Sequence, residues 1–119
     1  MKAQPRDKSY PGETHKVQVG CGILYVTVNF RDGKVLEVFV YGGKAGGCTS
    51  ATNEGLARCL SIGLRAGVDL QEYVDGLIGI QCNNVTYDEG VVIKSCPDAV
   101  GQILGKYLPK EIDGNTDLR

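Results

Sequence analysis

Hydrophobic and polar positions alternate with a period of two through three stretches of the N-terminal half. From His15 onward, Val17 and Val19 alternate with Lys16 and Gln18, and within Ile23 to Phe30 the residues Leu24, Val26, Val28 and Phe30 share one face. Val35 to Tyr41 sets Leu36, Val38 and Val40 on one face and Val35, Glu37, Phe39 and Tyr41 on the other. That period is the spacing of a pleated strand, and the β-branched and aromatic content suits it. Gly20-Cys21-Gly22 separates the first two runs. Arg31-Asp32-Gly33-Lys34 separates the next two with the Asp-Gly pair of a type I′ turn, whose central residues both need positive φ. An antiparallel meander is expected.

The period then changes. Gly42 to Cys48 is glycine-rich and breaks the sheet, after which Leu56, Leu60 and Leu64 recur at i, i+4 and i+8 with Cys59 and Ile62 beside them. Thr49 and Ser50 are candidate N-caps for this helix, and Gly67 suits its C-terminal stop. Asp69 with Glu72 resembles a capping box and opens a second helix striped by Leu70, Tyr73, Val74 and Leu77. Ile78 to Asn84 is a connection, Val91-Val92-Ile93 a short strand, and Ser95 begins a third helix through Leu108, closed by Pro109. The expected class is α+β: an antiparallel β-meander followed by two helices, a short strand and a C-terminal helix, with the helices on one face. Residues 1–12 read as an extended arm, 13–108 as a single domain and 109–119 as a polar tail.

Length and charge narrow the functions. A chain of 119 residues holds one domain and has no room for a closed α/β barrel of about 200 residues. Hydrophobic residues at 42% and charged ones at 23% describe an ordinary globular domain. The net charge of −1, with aromatics not interleaved with a basic stripe, excludes a nucleic-acid partner. No run approaches the ~18 apolar residues of a membrane span, and Met1 to Gly12 has no apolar signal core. The expectation is therefore a cytoplasmic protein with no membrane partner.

In that compartment, five cysteines are poor candidates for disulfides, and an odd number cannot all pair within one chain. Cys59 lies mid-helix beside Leu60 and reads as a small buried hydrophobe. The other four sit at breaks in regular structure. Cys21 lies between glycines, Cys48 follows two, Cys82 is in a connection and Cys96 starts a helix. No two have C-x-x-C spacing, but loop thiols can converge on a metal. In Ser95-Cys96-Pro97-Asp98, proline at the first helical position would make Cys96 the N-cap, where the positive end of the helix lowers a thiol pKa. Cysteine in place of a capping serine explains the same residue without chemistry. His15, the only histidine, reads as a surface strand residue, and no Ser–His–Asp or Cys–His triad is recognisable.

A second candidate is the glycine-rich turn. Gly43, Lys44, Ala45, Gly46 and Gly47 lead into Thr49 and Ser50, so backbone N–H groups, one ammonium and two hydroxyls could cradle a nucleotide phosphate. It is not a Walker A loop, because the lysine precedes the glycine pair. A strand-to-helix connection needing positive φ explains these glycines equally well.

Lys94-Ser95-Cys96-Pro97-Asp98 resembles the signature of the TSCPD domain, with lysine in place of the leading threonine. Gly20 to Val28, Glu37 to Val40 with Gly43 to Gly46, Leu60 to Val68, and Gly79 to Cys82 are similar, in order and spacing, to the C-terminal domain of adenosylcobalamin-dependent ribonucleotide reductases. The likeness covers residues 11–108. Cys21, Cys48, Cys82 and Cys96 fall where a group of free-standing domains of this type carries four characteristic cysteines, and Cys59 does not. The resemblance implies a shared metal or redox role for the four, with zinc the expected cofactor. It also implies an accessory role in deoxyribonucleotide metabolism and DNA replication beside a separate reductase catalytic chain. The reductases' barrel, cobalamin contacts and C-terminal cysteine pair are absent, and Asn83 replaces their usual proline, so no cobalamin site and no catalysis by this chain alone are expected. The alternatives are a stand-alone protein, of host or phage origin, that senses or sequesters a nucleotide through the glycine loop, and a structural zinc module. A small core and an open sheet edge suit a homo-oligomer under all three.

Overall fold

The structure, a computed structural model, describes residues 1–42 and 47–109. The meander consists of β1 (Gly12–Val19), β2 (Gly22–Arg31) and β3 (Lys34–Gly42), antiparallel in the order β1-β2-β3. Register runs from Val19↔Gly22 to Gly12↔Asn29 in the first pair, and from Leu24↔Gly42 to Arg31↔Lys34 in the second. Asp32 and Gly33 have φ of 53° and 77°, as the Asp-Gly turn requires. Gly20 and Cys21 form the other turn, a two-residue loop.

The remaining elements are α1 (Cys48–Arg65), α2 (Leu70–Leu77), β4 (Thr86–Asp88), β5 (Val91–Ile93) and α3 (Cys96–Gly105). The class is the expected α+β arrangement, with one addition. The short strand has a partner, because β4 pairs with β5 through a turn in which Glu89 and Gly90 have φ of 51° and 84°. Three residues with exposed Tyr87 and Val91 are too few to show a period.

Helices cover one face of the sheet. Val17, Val19, Leu24, Val26, Val28, Val38 and Val40 meet Ala57, Leu60 and Leu64 of α1 and Val100, Ile103 and Leu104 of α3 in a single core. Burying each of these larger side chains contributes about 1.5–3 kcal/mol, so this layer dominates stability. The Leu60–Leu64 stripe behaves as its spacing requires. Cys59, expected inside, is exposed instead, one residue and about 100° around the helix from buried Leu60.

β3 is an edge strand, and α1 runs along it. Ser61 Oγ accepts from the Val38 N–H at 2.9 Å and donates to the Val38 carbonyl at 3.0 Å. One hydroxyl thus satisfies both edge groups of that residue. The N-terminal arm lies across the far end of this layer, where Gln4 and Arg65 exchange hydrogen bonds of 3.0 Å. Among the described residues no helix is long and apolar enough to cross a membrane.

Helix ends differ from the sequence expectation in two places. α1 is capped by Gly47, with no side-chain cap, so Thr49 and Ser50 lie inside its first turn. α3 is capped by Ser95, whose Oγ accepts from the Asp98 N–H at 3.0 Å, so Cys96 and Pro97 are the first two helical residues. Asp69 caps α2, accepting from the Gln71 N–H at 3.2 Å.

Candidate functional site

Three of the four loop cysteines gather at one end of the molecule. The β1–β2 turn carrying Cys21 lies at the end of the sheet where Leu24 pairs with Gly42, the last residue of β3. The 82–84 loop is pressed against this turn, since a side chain at Gly20 would place its Cβ 2.0 Å from the Asn84 carbonyl oxygen. Asn84 links two of the thiols. Its backbone N–H donates to Cys82 Sγ at 3.3 Å, and its side-chain Nδ2 donates to Cys21 Sγ at 3.8 Å.

The start of α3 brings the third. Cys82 N–H donates to the Lys94 carbonyl at 3.0 Å, two residues before Cys96. Ser95 Oγ donates to the Ile80 carbonyl at 2.6 Å. Asp98, only 2% exposed, accepts from Gly79 N–H, Lys94 N–H and Gln102 Nε2 at 2.8, 2.8 and 2.9 Å. The sequence suggests Asp98 as a first-turn acid only. It is in fact the staple that holds the Cys82 loop to the Cys96 helix.

Cys96 is half-buried between these loops and α1. Burial pushes its thiol above the ordinary cysteine value, the Asn53 amide pulls it down, and Cys21 and Cys82 nearby add to the upward push. The lowered thiol expected of a helix N-cap is therefore not found. Ser95 occupies the cap, and burial of Cys96 at the first helical position raises its thiol.

Asn53 is 3% exposed, and its Nδ2 has no hydrogen-bond partner among the described residues. The amide is the group that favours the Cys96 thiolate. An unsatisfied buried donor costs about 1–3 kcal/mol, so its place beside a sulfur that would accept once charged is informative. The signal in the sequence was an asparagine at the position that continues the 57, 60, 64 stripe.

Cys48 is exposed and opens α1, five residues or about 7.5 Å of helix before Asn53. It shares this end of the molecule without a described contact to the other thiols. Among the described residues, no group of three or more His, Cys, Asp or Glu side chains is arranged to hold a metal ion. Of the glycine-rich candidates, Gly43, Lys44, Ala45 and Gly46 lie outside the described residues, while Gly47 caps α1 and Thr49 and Ser50 are partly buried in its first turn. His15 is not simply a surface residue. Its Nε2 lies 2.6 Å from Tyr107 Oη, and burial first, then Lys106, holds its pKa below the ordinary histidine value.

Two comparisons bear on this arrangement. The TSCPD domain model matches residues 1–108. A vitamin B12-dependent ribonucleotide reductase of Agrobacterium fabrum is 38% identical over 65 residues, which is 54% of this chain and 5% of that protein. No solved structure matches.

Proposed function

The chain belongs to the TSCPD domain family, and on that premise we propose that it is an accessory module of deoxyribonucleotide metabolism that uses Cys21, Cys48, Cys82 and Cys96 as a zinc site. The observation that carries this reading is the shared neighbourhood of Cys21, Cys82 and Cys96, bridged by Asn84 and faced by the unpartnered amide of Asn53. The donor set fits zinc in kind. Loop thiols deprotonate on metal binding, and a buried N–H then gains an acceptor. Zinc held by four thiolates cross-links loops and contributes folding energy, with no open position for substrate. The module presents its thiol end to a catalytic chain of the reductase type, the kind of protein it is similar to over 65 residues.

Native mass spectrometry of the purified protein tests this reading. One zinc per chain is expected, lost in Cys21→Ser and Cys96→Ser and kept in Cys59→Ser, with a reductase catalytic chain recovered by the zinc-loaded form. A metal-free protein whose five thiols all alkylate at one rate rules out the site. Zinc without a reductase partner reduces the module to a structural zinc domain.

A further inference from the structure

A groove of about 580 Å³ runs between β3 and α1, within the size range of small-molecule sites. One wall carries Phe39 and Tyr41, alternate residues of β3, with ring planes 11° apart and centroids 6.4 Å apart. Both are exposed, at 36% and 55%. The facing wall is polar. Ser50, Glu54 and Arg58 of α1 line it at successive turns. Exposed aromatics beside a stripe of hydroxyl, carboxylate and guanidinium match neither core packing nor an ordinary solvated helix face.

The charges say which groups are free to act. At the closed end, Arg6 and Arg65 are engaged by buried Glu37, so they shape the groove more than they offer binding. Among the described residues Arg58 pairs with Glu54, at 2.6 Å, and both are largely exposed, at 75% and 62%. Such an exposed pair within one helix is weak, so the guanidinium is easily redirected to a stronger anion. A phosphate accepts two guanidinium hydrogen bonds at once. The freed Glu54 carboxylate can then accept from a sugar hydroxyl.

We propose that the β3–α1 groove binds a nucleoside phosphate, its base stacked on Phe39 and Tyr41 and its phosphate held by Arg58 and Ser50. The proposal does not depend on the zinc reading, nor on residues 43–46. A planar ring, hydroxyls and an anion in one molecule are what these two walls recognise together. Base stacking on aromatic side chains tolerates any base, so affinity resides in the rings and orientation in the polar wall.

The test is titration of the whole protein with the common ribo- and deoxyribonucleoside triphosphates. Tyrosine fluorescence can be followed directly, because the chain has no tryptophan. Calorimetry with adenosine and with inorganic tripolyphosphate separates the two halves of the ligand. Saturable binding is expected, stronger for a nucleotide than for either half. Tyr41→Ala should weaken it about tenfold or more, and Phe39→Ala comparably. Arg58→Gln should weaken it and flatten its salt dependence. Tyr87→Ala, an exposed aromatic on β4, should leave it unchanged. Tripolyphosphate binding as tightly as any nucleotide would overturn the proposal in favour of a plain anion site. Equally decisive against it are affinity that survives both Tyr41→Ala and Arg58→Gln, or no saturable signal from the folded protein at millimolar nucleotide.

Discussion

The β3–α1 layer holds a buried polar side chain towards each end, and the two are treated differently. Glu37 is 1% exposed and accepts from Arg6 Nε and Nη2 at 3.0 and 2.7 Å and from Asn29 Nδ2 at 2.7 Å, with Arg65 3.9 Å away. Asn53 is 3% exposed, and its Nδ2 donates to nothing described. A low-dielectric interior strengthens satisfied networks and penalises unsatisfied groups, so neither state is neutral. The Glu37 end is finished: it clamps the N-terminal arm to the sheet and closes the groove. The Asn53 end lies beside the Cys96 thiol. The two ends therefore differ in whether the buried polar group has its partners among the described residues.

The largest effect should come from dismantling the finished end. Glu37→Ala removes the buried carboxylate that engages Arg6, Asn29 and Arg65, leaving the arm held by the Gln4–Arg65 hydrogen bonds, and should cost about 3 kcal/mol in denaturant unfolding. That is the lower part of the range for a broken buried pair, because Arg6 is half exposed and rehydrates. The pH dependence gives an independent check. Hydrogen bonds from Arg6, outweighing burial, hold the Glu37 carboxyl below its ordinary value. A depressed folded pKa stabilises fully above the unfolded value of about 4.3 and is lost as pH falls through the folded one. The melting temperature should therefore drop as pH falls below about 4.3, a step separate from the one below about 6.5 that the lowered His15 pKa brings, and Arg6→Ala should remove part of the more acid drop alone. A profile with no step below about pH 4.3 in the parent protein would show that Glu37 is not held by Arg6.

These contrasts explain what was legible in the sequence. The meander was, because period-two runs and an Asp-Gly turn are local signals, and so was the α1 stripe. The separation of Cys59 from the other cysteines was also legible, though its exposure was not: one helical step decides it, and composition carries no angle. The Cys96 thiol went the other way from expectation because desolvation is set by α1 and the 79–84 loop, which meet it only in three dimensions. Glu37 and Phe39 occupy one face of one strand in sequence. Only the fold reveals that the first is sealed under an arginine and the second opens onto a groove. Asp98 read as a helix-start residue and proved to be the staple between two loops, a role fixed by Gly79 and Lys94 rather than by its neighbours in α3.

An intermediate effect is expected where the thiol-bearing loops touch. Gly20→Ala puts a Cβ 2.0 Å from a backbone oxygen, and backbone cannot rotate away as a side chain can. The β1–β2 turn and the 82–84 loop must separate, at about 2 kcal/mol by analogy with overpacked cores. Zinc retention should fall with it, since Cys21 and Cys82 move apart together. If stability falls while zinc is held as firmly as in the parent, the two loops do not share a metal.

The smallest change in stability should come from Asn53→Leu, and it is the sharpest test of the contrast with Glu37. Leucine keeps the branched four-atom skeleton of asparagine, is bulkier, and has no donor to satisfy, so relief of the unpaired N–H and the cost of added bulk oppose each other. In the metal-free, reduced protein, the substitution removes an unpaired N–H and should alter unfolding free energy by less than about 1 kcal/mol, in either direction. Function should respond differently. A thiolate on zinc that loses its buried N–H donor is a weaker ligand, and loss of such outer contacts typically costs about 10–100-fold in metal affinity. Competition with a chelator should therefore show zinc leaving Asn53→Leu at correspondingly lower chelator concentration, while Glu37→Ala changes stability far more than zinc affinity. If Asn53→Leu instead costs as much folding free energy as Glu37→Ala and leaves zinc affinity alone, both buried polar groups are structural and the thiol end is as finished as the other.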